Sequence, residues 1–597
     1  MKSKSGHMCS VTLLVSTLSM GALAEPPEIR FDHIHTFDEV VTYLENVAES
    51  HPGLVEIHRI GKSYLGKDLL VVEITNKNTG PGLEKPGYFI DGNLHSSEVI
   101  GGEICLHTIM VLVEEYGRDP LVTELVDTRA LFIMPKLNPD GSDHYITRPD
   151  GMRSVVRPFD DDGDGREDED PPEDLDGDGH ITRMRVREVS GPLKTSPEDP
   201  RLMVAAVEGS DSKDWKGEWR VYTEGIDNDG DGRFNEDGVG GIDINRNFPD
   251  QWQPAPISFN PGPYPLSEME SRAVADYLLA LPNLTGLINY HMSGNVVVFS
   301  PSNLRTDPMT GDVVRPTYED QLIYKRFGRK ADELIEGVKI QTFKIHGASP
   351  ATWHGSIWGV YIDWVYYRLG IYALNHEVGI FPGVTDIFPS YGKETERLRW
   401  SDENMDGKLF AEWKAFDHPQ LGKVEIGGFL NKIYDPKYET YTQVMCLPGP
   451  GYDKLLAGHT QWHLFLMLQS PLLRVVDIES HPLASGFFRV KARVQNEGNL
   501  PTYVTHYALD TGLAKTVKAV IALEGADLVS GGEEVDLGHL NGRSSREGAS
   551  AKDVEWVVEV TGREAAVTIE AVSQKGGRDR ARVHLKESKK SRNQEIK

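Results

Sequence analysis

The chain has 597 residues, is 39% apolar and 26% charged, and carries a formal charge of −28. That length exceeds one ordinary hydrophobic core, so two or three domains are expected. The acidity makes nucleic acid and anionic membrane poor partners, and no segment after the N-terminus is apolar and long enough to predict a membrane span.

In chain order, MKSKSGHMCSVTLLVSTLSMGALAEPP has a basic start at Lys2 and Lys4, an apolar run from Val11, and a small-x-small stop at Ala22-Leu23-Ala24. It reads as a secretory leader over residues 1–24, which places the mature protein outside the cell or in the periplasm. Of three cysteines, Cys9 lies in this leader; Cys105 and Cys446 are too few for a disulfide framework and read as two separate buried thiols. FDEVVTYLENVAES has helical apolar spacing, with Phe37, Val40, Val41, Leu44 and Val47 on one face, and stops at His51-Pro52-Gly53. VEIHRIG, DLLVVEITN and GYFIDGN read as strands, IGGEICLHTIMVLVEEYG as a helix, and ALFIMPKLNPDG as another strand ending in a turn. This alternation predicts an α/β domain with a mixed, largely parallel sheet flanked by helices, whose ligands bind at the carboxyl ends of the strands.

His95 and Glu98 fall at such an end, three residues apart where strand gives way to helix. Taken alone the pair is a weak signal that better fits a surface imidazole beside a helix N-terminal acid. A third candidate, His291, ends the apolar strand LTGLINYH before the turn Ser293-Gly294-Asn295. Two imidazoles and one carboxylate suit Zn²⁺, with a fourth position left for a water whose pKa the metal lowers to about 7. Glu377, at the end of the run GIYALNHE, is the candidate general base.

These pieces resemble the zinc carboxypeptidase family in their order and flanks: HPGLVEIHRIGKSYLGKDLLVVEI, LHSSE, KLNPDG, GIDINRNFP, NYHMSG, YIDWVYY, LNHEVG and the helix YDKLLAGHTQWHLFLMLQ. The resemblance implies that His95, Glu98 and His291 hold one catalytic zinc and that Glu377 is the base. It further implies that Asn245 and Arg246 bind the terminal carboxylate of a peptide, and that Asp243 orients the first zinc-binding imidazole. Arg148, Arg153 and Arg157 all follow NPDG, and Arg157, which ends a short apolar stretch, is expected to be the oxyanion-stabilising arginine. Ser97 stands where digestive members have arginine. Trp353, His354 and Tyr361 compete for the place of the mobile tyrosine. Ile362 occupies the position that is acidic in enzymes preferring basic side chains, which favours apolar terminal residues.

The largest departure is an acidic insert at about 158–238, with DxDxDG at Asp160, Asp162, Asp164, again at Asp174, Asp176, Asp178, and a third copy at Asp227, Asp229, Asp231. Carboxylates at alternate positions followed by Gly suit Ca²⁺. None has Glu at the twelfth loop position, so further ligands must come from elsewhere, such as Glu169 or Asp170; the alternative is a disordered acidic loop. After about Ser470 short alternating strands predict a C-terminal β-sandwich whose partner is unknown. The expected organisation is thus a leader at 1–24, a catalytic domain at 25–470 holding the insert, a β-sandwich at 471–588 and a disordered tail at 589–597. The expected function is a secreted zinc metallocarboxypeptidase acting on peptide or protein C-termini, with zinc as cofactor and calcium as a structural ion. The alternatives are a cell-wall peptide hydrolase using the same residues, and a catalytically silent calcium-dependent adhesion protein on the same scaffold.

Overall fold

The computed structural model describes residues 28–161, 163–206, 217–292, 296–299, 305–306, 313–314, 316–335, 357–378, 394–446, 448, 451–544 and 548–586. The predicted leader and tail lie outside them. The helix Phe37–Ser50 begins where Thr36 and Glu39 cap each other's backbone N–H groups, and it buries Phe37, Val40, Tyr43, Leu44 and Val47.

Seven strands form the central sheet. In spatial order they are Val55–Lys62, Asp68–Ile74, Ala130–Met134, Gly87–Asp91, Leu284–His291, Tyr372–Glu377 and Val296–Phe299. The four from Ala130–Met134 to Tyr372–Glu377 run parallel, and the flanking strands pair antiparallel. Gly87–Asp91, Ala130–Met134 and Leu284–His291 are buried at every position, as strands covered on both faces must be. The helix Ile100–Glu114 packs directly on the strand ends because glycines let it. A Cβ on Gly92 would lie 2.4 Å from the Gly101 carbonyl carbon, and one on Gly101 would lie 2.6 Å from the Cβ of Tyr290.

The insert is more than a loop. Its strands Arg183–Gly191, Leu193–Thr195, Met203–Ala205 and Gly217–Thr223 join Phe410–His418 and Gly422–Phe429 in a six-stranded sheet, through the pairing of Arg183–Gly191 with Gly422–Phe429. Downstream of residue 470, two four-stranded antiparallel sheets enclose a core that includes Phe488, Val490, Trp556, Val567 and Ile569. This unit packs against the central sheet. The buried Asp320 carboxylate accepts from the backbone N–H groups of His506 and Tyr507 and from the hydroxyls of Tyr366 and Tyr372. Lys575 Nζ donates to the Leu284 carbonyl at 2.8 Å.

Candidate active site

His95 leaves the strand Gly87–Asp91 through a turn in which Asn93 adopts φ 57° and donates its side-chain amide to the carbonyls of His95 and Ser96. Glu98 follows just before the helix Ile100–Glu114, and His291 ends the neighbouring parallel strand. Three ligand-type side chains thereby meet. Glu98 Oε2 lies 2.8 Å from His95 Nδ1 and 2.8 Å from His291 Nδ1, and the two Nδ1 atoms are 3.0 Å apart. All three residues are buried, with exposures of 1%, 5% and 2% for His95, Glu98 and His291.

Two imidazole nitrogens and a carboxylate aimed at one point fit a borderline-soft divalent ion such as zinc. Burial opposes ionisation of Glu98, but the two imidazoles hold its carboxyl well below the usual range. The far side of each ring is also held: His95 Nε2 lies 3.1 Å from Asp243 Oδ1, and His291 Nε2 lies 3.5 Å from Asn245 Nδ2. Asp243 is likewise buried, and Arg153, His95 and Arg246 outweigh that burial to keep it ionised. A carboxylate behind a ligating ring fixes which nitrogen faces the metal.

Glu377 is the register partner of His291 on the adjacent parallel strand, so their side chains leave the sheet on the same face. Its charge is felt at both Arg153 and Arg246. Arg246 is half-buried, and desolvation lowers its pKa. Among the described residues it forms no ion pair and donates only to the Asn245 carbonyl, at 2.8 Å.

Two expectations change. Arg157 does not reach the cluster, because Glu268 captures it with Nε–Oε2 at 3.0 Å and Nη2–Oε1 at 2.9 Å. Arg153 stands there instead, donating Nη1 to Glu98 Oε1 at 3.1 Å and Nε to Asp243 Oδ2 at 3.2 Å. Tyr361 is fully buried, stacked on Phe248, with its hydroxyl 3.2 Å from Asp91 and its backbone N–H donating to Asn245 Oδ1. It cannot swing. Trp353 and His354 lie outside the described residues. Asn245 is thus engaged by His291 and by Tyr361, a supporting role that the short stretch NRN gave no sign of.

In the insert, Asp160, Asp174 and Asp227 each turn both carboxylate oxygens onto backbone N–H groups of their own loops. Carboxylates gather in four groups: Asp164 with Glu169 and Asp229; Asp170 with Asp229 and Glu236; Asp174 and Asp176 with Glu224; and Asp227, Asp229 and Asp231. Among the described residues Asp160 and Asp178 join none, and Asp162 lies outside them.

Comparison with known proteins gives the same direction. A family model described as zinc carboxypeptidase matches residues 40–172 and 210–388, and one described only as a domain of unknown function matches residues 472–584. Carboxypeptidase D of Drosophila melanogaster is 25% identical over 453 residues, covering 70% of this chain and 25% of that protein. Carboxypeptidase M of Mus musculus is 36% identical over 118 residues, 19% of this chain and 26% of that one. The zinc carboxypeptidase of Saccharothrix mutabilis subsp. capreolus is 35% identical over 112 residues, again 19% and 26%. This chain therefore spans about a quarter of the length of these curated relatives. Among solved structures, thrombin activatable fibrinolysis inhibitor aligns with a TM-score of 0.37 and 21% identity over 58% of this chain and 66% of that one. With the zinc carboxypeptidase model spanning just over half of its residues, the chain belongs to the zinc carboxypeptidase family.

Proposed function

We propose that the protein is a secreted zinc metallocarboxypeptidase that removes single residues from peptide C-termini. The observation that carries this reading is the meeting of His95, Glu98 and His291 with Glu377 beside them in register on the next strand. Zinc, when bound, supplies Lewis acidity toward a carbonyl and an acidified water with a pKa of about 7.

Glu377 takes the proton of the attacking water and returns it to the leaving amine. Arg153, fixed by Glu98 and Asp243, offers its guanidinium to the negative charge that builds on the carbonyl oxygen. Arg246 receives the terminal carboxylate; a half-buried guanidinium that forms no ion pair among the described residues is free to take a bidentate anion. That anchor makes the enzyme an exopeptidase. Secretion rests on the leader at residues 1–24, and export with cleavage after Ala24 would leave Glu25 as the mature N-terminus.

The test is a mixed peptide library incubated with purified protein, with and without a zinc chelator, and read by mass spectrometry. Chelator-sensitive loss of one C-terminal residue at a time is the expected result. Internal cuts, or no cuts by zinc-loaded protein, would overturn the reading.

A further inference from the structure

The insert contains an internal repeat that the catalytic reading leaves unused. DDDGDGREDED, residues 160–170, and DNDGDGRFNED, residues 227–237, are identical at eight of eleven positions. In space the copies meet through an antiparallel bridge between Asp170 and Asp237. Their cross-contacts exchange roles: the backbone N–H of Asn228 donates to Asp170 Oδ1 at 2.9 Å, and that of Asp161 donates to Asp237 Oδ1 at 3.2 Å. An approximate two-fold therefore relates them.

Around the bridge, carboxylates face one another; Asp170 accepts from the backbone N–H groups of Asn228 and Asn235, and Asp229 from that of Asp231 and from Arg166, but three oxygens beside them have no donor. Asp170, Asp229 and Glu236 bring oxygens within 4.8 Å of each other. Glu236 thus lies beside Asp170, and Asp237 lies beside Glu169. Asp170 and Asp237 are 0% and 1% exposed, yet Asp237 Oδ2, Glu169 Oε2 and Glu236 Oε2 are buried with no hydrogen-bond partner. Arg166 reaches Asp164, Asp229 and, at 3.8 Å, Glu169, but among the described residues no Lys, Arg or His pairs with Asp170, Glu236 or Asp237. Buried carboxylates in contact need a cation or a proton held between them.

The other acidic loop lacks this signature. None of its described carboxylate oxygens is buried without a partner: Glu224, beside Asp174 and Asp176, accepts from Leu175 and Thr182, while Lys414 stands 3.7 Å from Asp176 and from Asp178.

We propose that the two copies form a calcium centre at their shared bridge, with Asp170, Asp229 and Glu236 as ligands and Glu169 and Asp237 beside them. Several carboxylate oxygens on adaptable loops are the donor set calcium takes and magnesium tolerates poorly. The ion would fasten the insert's two ends where they adjoin the active site. Gly240 N and Phe159 N both donate to Asp168 Oδ1, Val155 N donates to the Ile242 carbonyl, and Asn260 links Asp161 to the backbone of Asp243. One end thus leads from Arg153 and the other to Asp243 and Arg246.

The experiment uses the full chain stripped of metal and reloaded with zinc alone. Calcium titration by calorimetry should show saturable binding and raise Tm by about 5 °C, more than magnesium does. Glu236→Gln and Asp170→Asn should lose most of that shift, while Asp178→Asn, in the loop already satisfied, keeps it. Should a variant fail to fold, limited proteolysis of the wild type decides: calcium should protect residues 158–238 from cleavage. Absence of binding and of protection, or an undiminished shift in a folded Glu236→Gln, would overturn the proposal. These readouts do not involve hydrolysis, so calcium binding without peptide cleavage would sink only the proposed activity.

Discussion

Two groups of imidazoles lie back to back across the same pair of strands. His291 and Glu377 are register partners and leave one face; the residues just before them, Tyr290 and His376, are also partners and leave the other. On the first face the rings of His95 and His291 meet Glu98, Asp243 and Arg153. On the second, His376, His459 and His463 gather around Tyr290 against the helix Tyr452–Leu468, with Trp462 edge-on to His376. No carboxylate touches this second group among the described residues. His463 is held by the hydroxyls of Tyr290 and Thr108, and neither nitrogen of His376 has a partner. Burial pushes His376 and His463 down to about 3. The same residue type therefore joins a cluster able to hold a metal or fills the core according to whether an acid stands within reach.

The sharpest way to break this contrast is to remove the acid. Glu98→Ala should abolish zinc retention and hydrolysis together, because it takes away one of the three proposed ligands and leaves two facing imidazoles. Zinc content after dialysis and peptide turnover measure both; a variant that keeps its zinc would refute the role of Glu98. Glu377→Gln should leave zinc content unchanged and lower kcat by about 100- to 10,000-fold, the usual worth of a general base.

The arginines provide a second, smaller separation. Arg153→Ala should lower kcat by about 100- to 1,000-fold, as loss of an oxyanion donor does. Arg157→Ala should leave kcat near wild type and instead lower Tm, since it strands the buried Glu268 carboxylate. The reverse outcome would restore Arg157 to the site.

How far the sequence could be read depended on distance along the chain. The apolar runs ending at Asp91, His291 and Glu377 were visible as strands, and because those strands are neighbours in the sheet, residues at their carboxyl ends had to converge. Arg153 and Arg157 could not be told apart, because the deciding contact, Glu268, lies more than a hundred residues downstream. The six-stranded sheet of the insert was hidden for a similar reason: Arg185 and Glu425, opposite each other in it, are 240 residues apart. His376 carries no signal of its own beside Glu377, since a strand fully buried up to that glutamate has no polar alternation to assign its faces.

The second face makes its own prediction, the smallest. An imidazole buried neutral has a folded pKa below its unfolded value of about 6.5, so the unfolded chain takes up protons first as pH falls. The stability these rings contribute is complete above about pH 6.5 and is lost as pH drops toward about 3, the folded value for His376 and His463. His376→Leu removes one such proton without costing a hydrogen bond, because the ring makes none. Between pH 6 and pH 4 its urea-unfolding free energy should therefore decline less steeply than that of wild type, by up to about 1.4 kcal/mol per pH unit. The ligand imidazoles cannot produce that difference, since they are unchanged in the variant. Equal acid slopes would mean that the second group is already protonated or open to water, and the contrast between the two faces would fail.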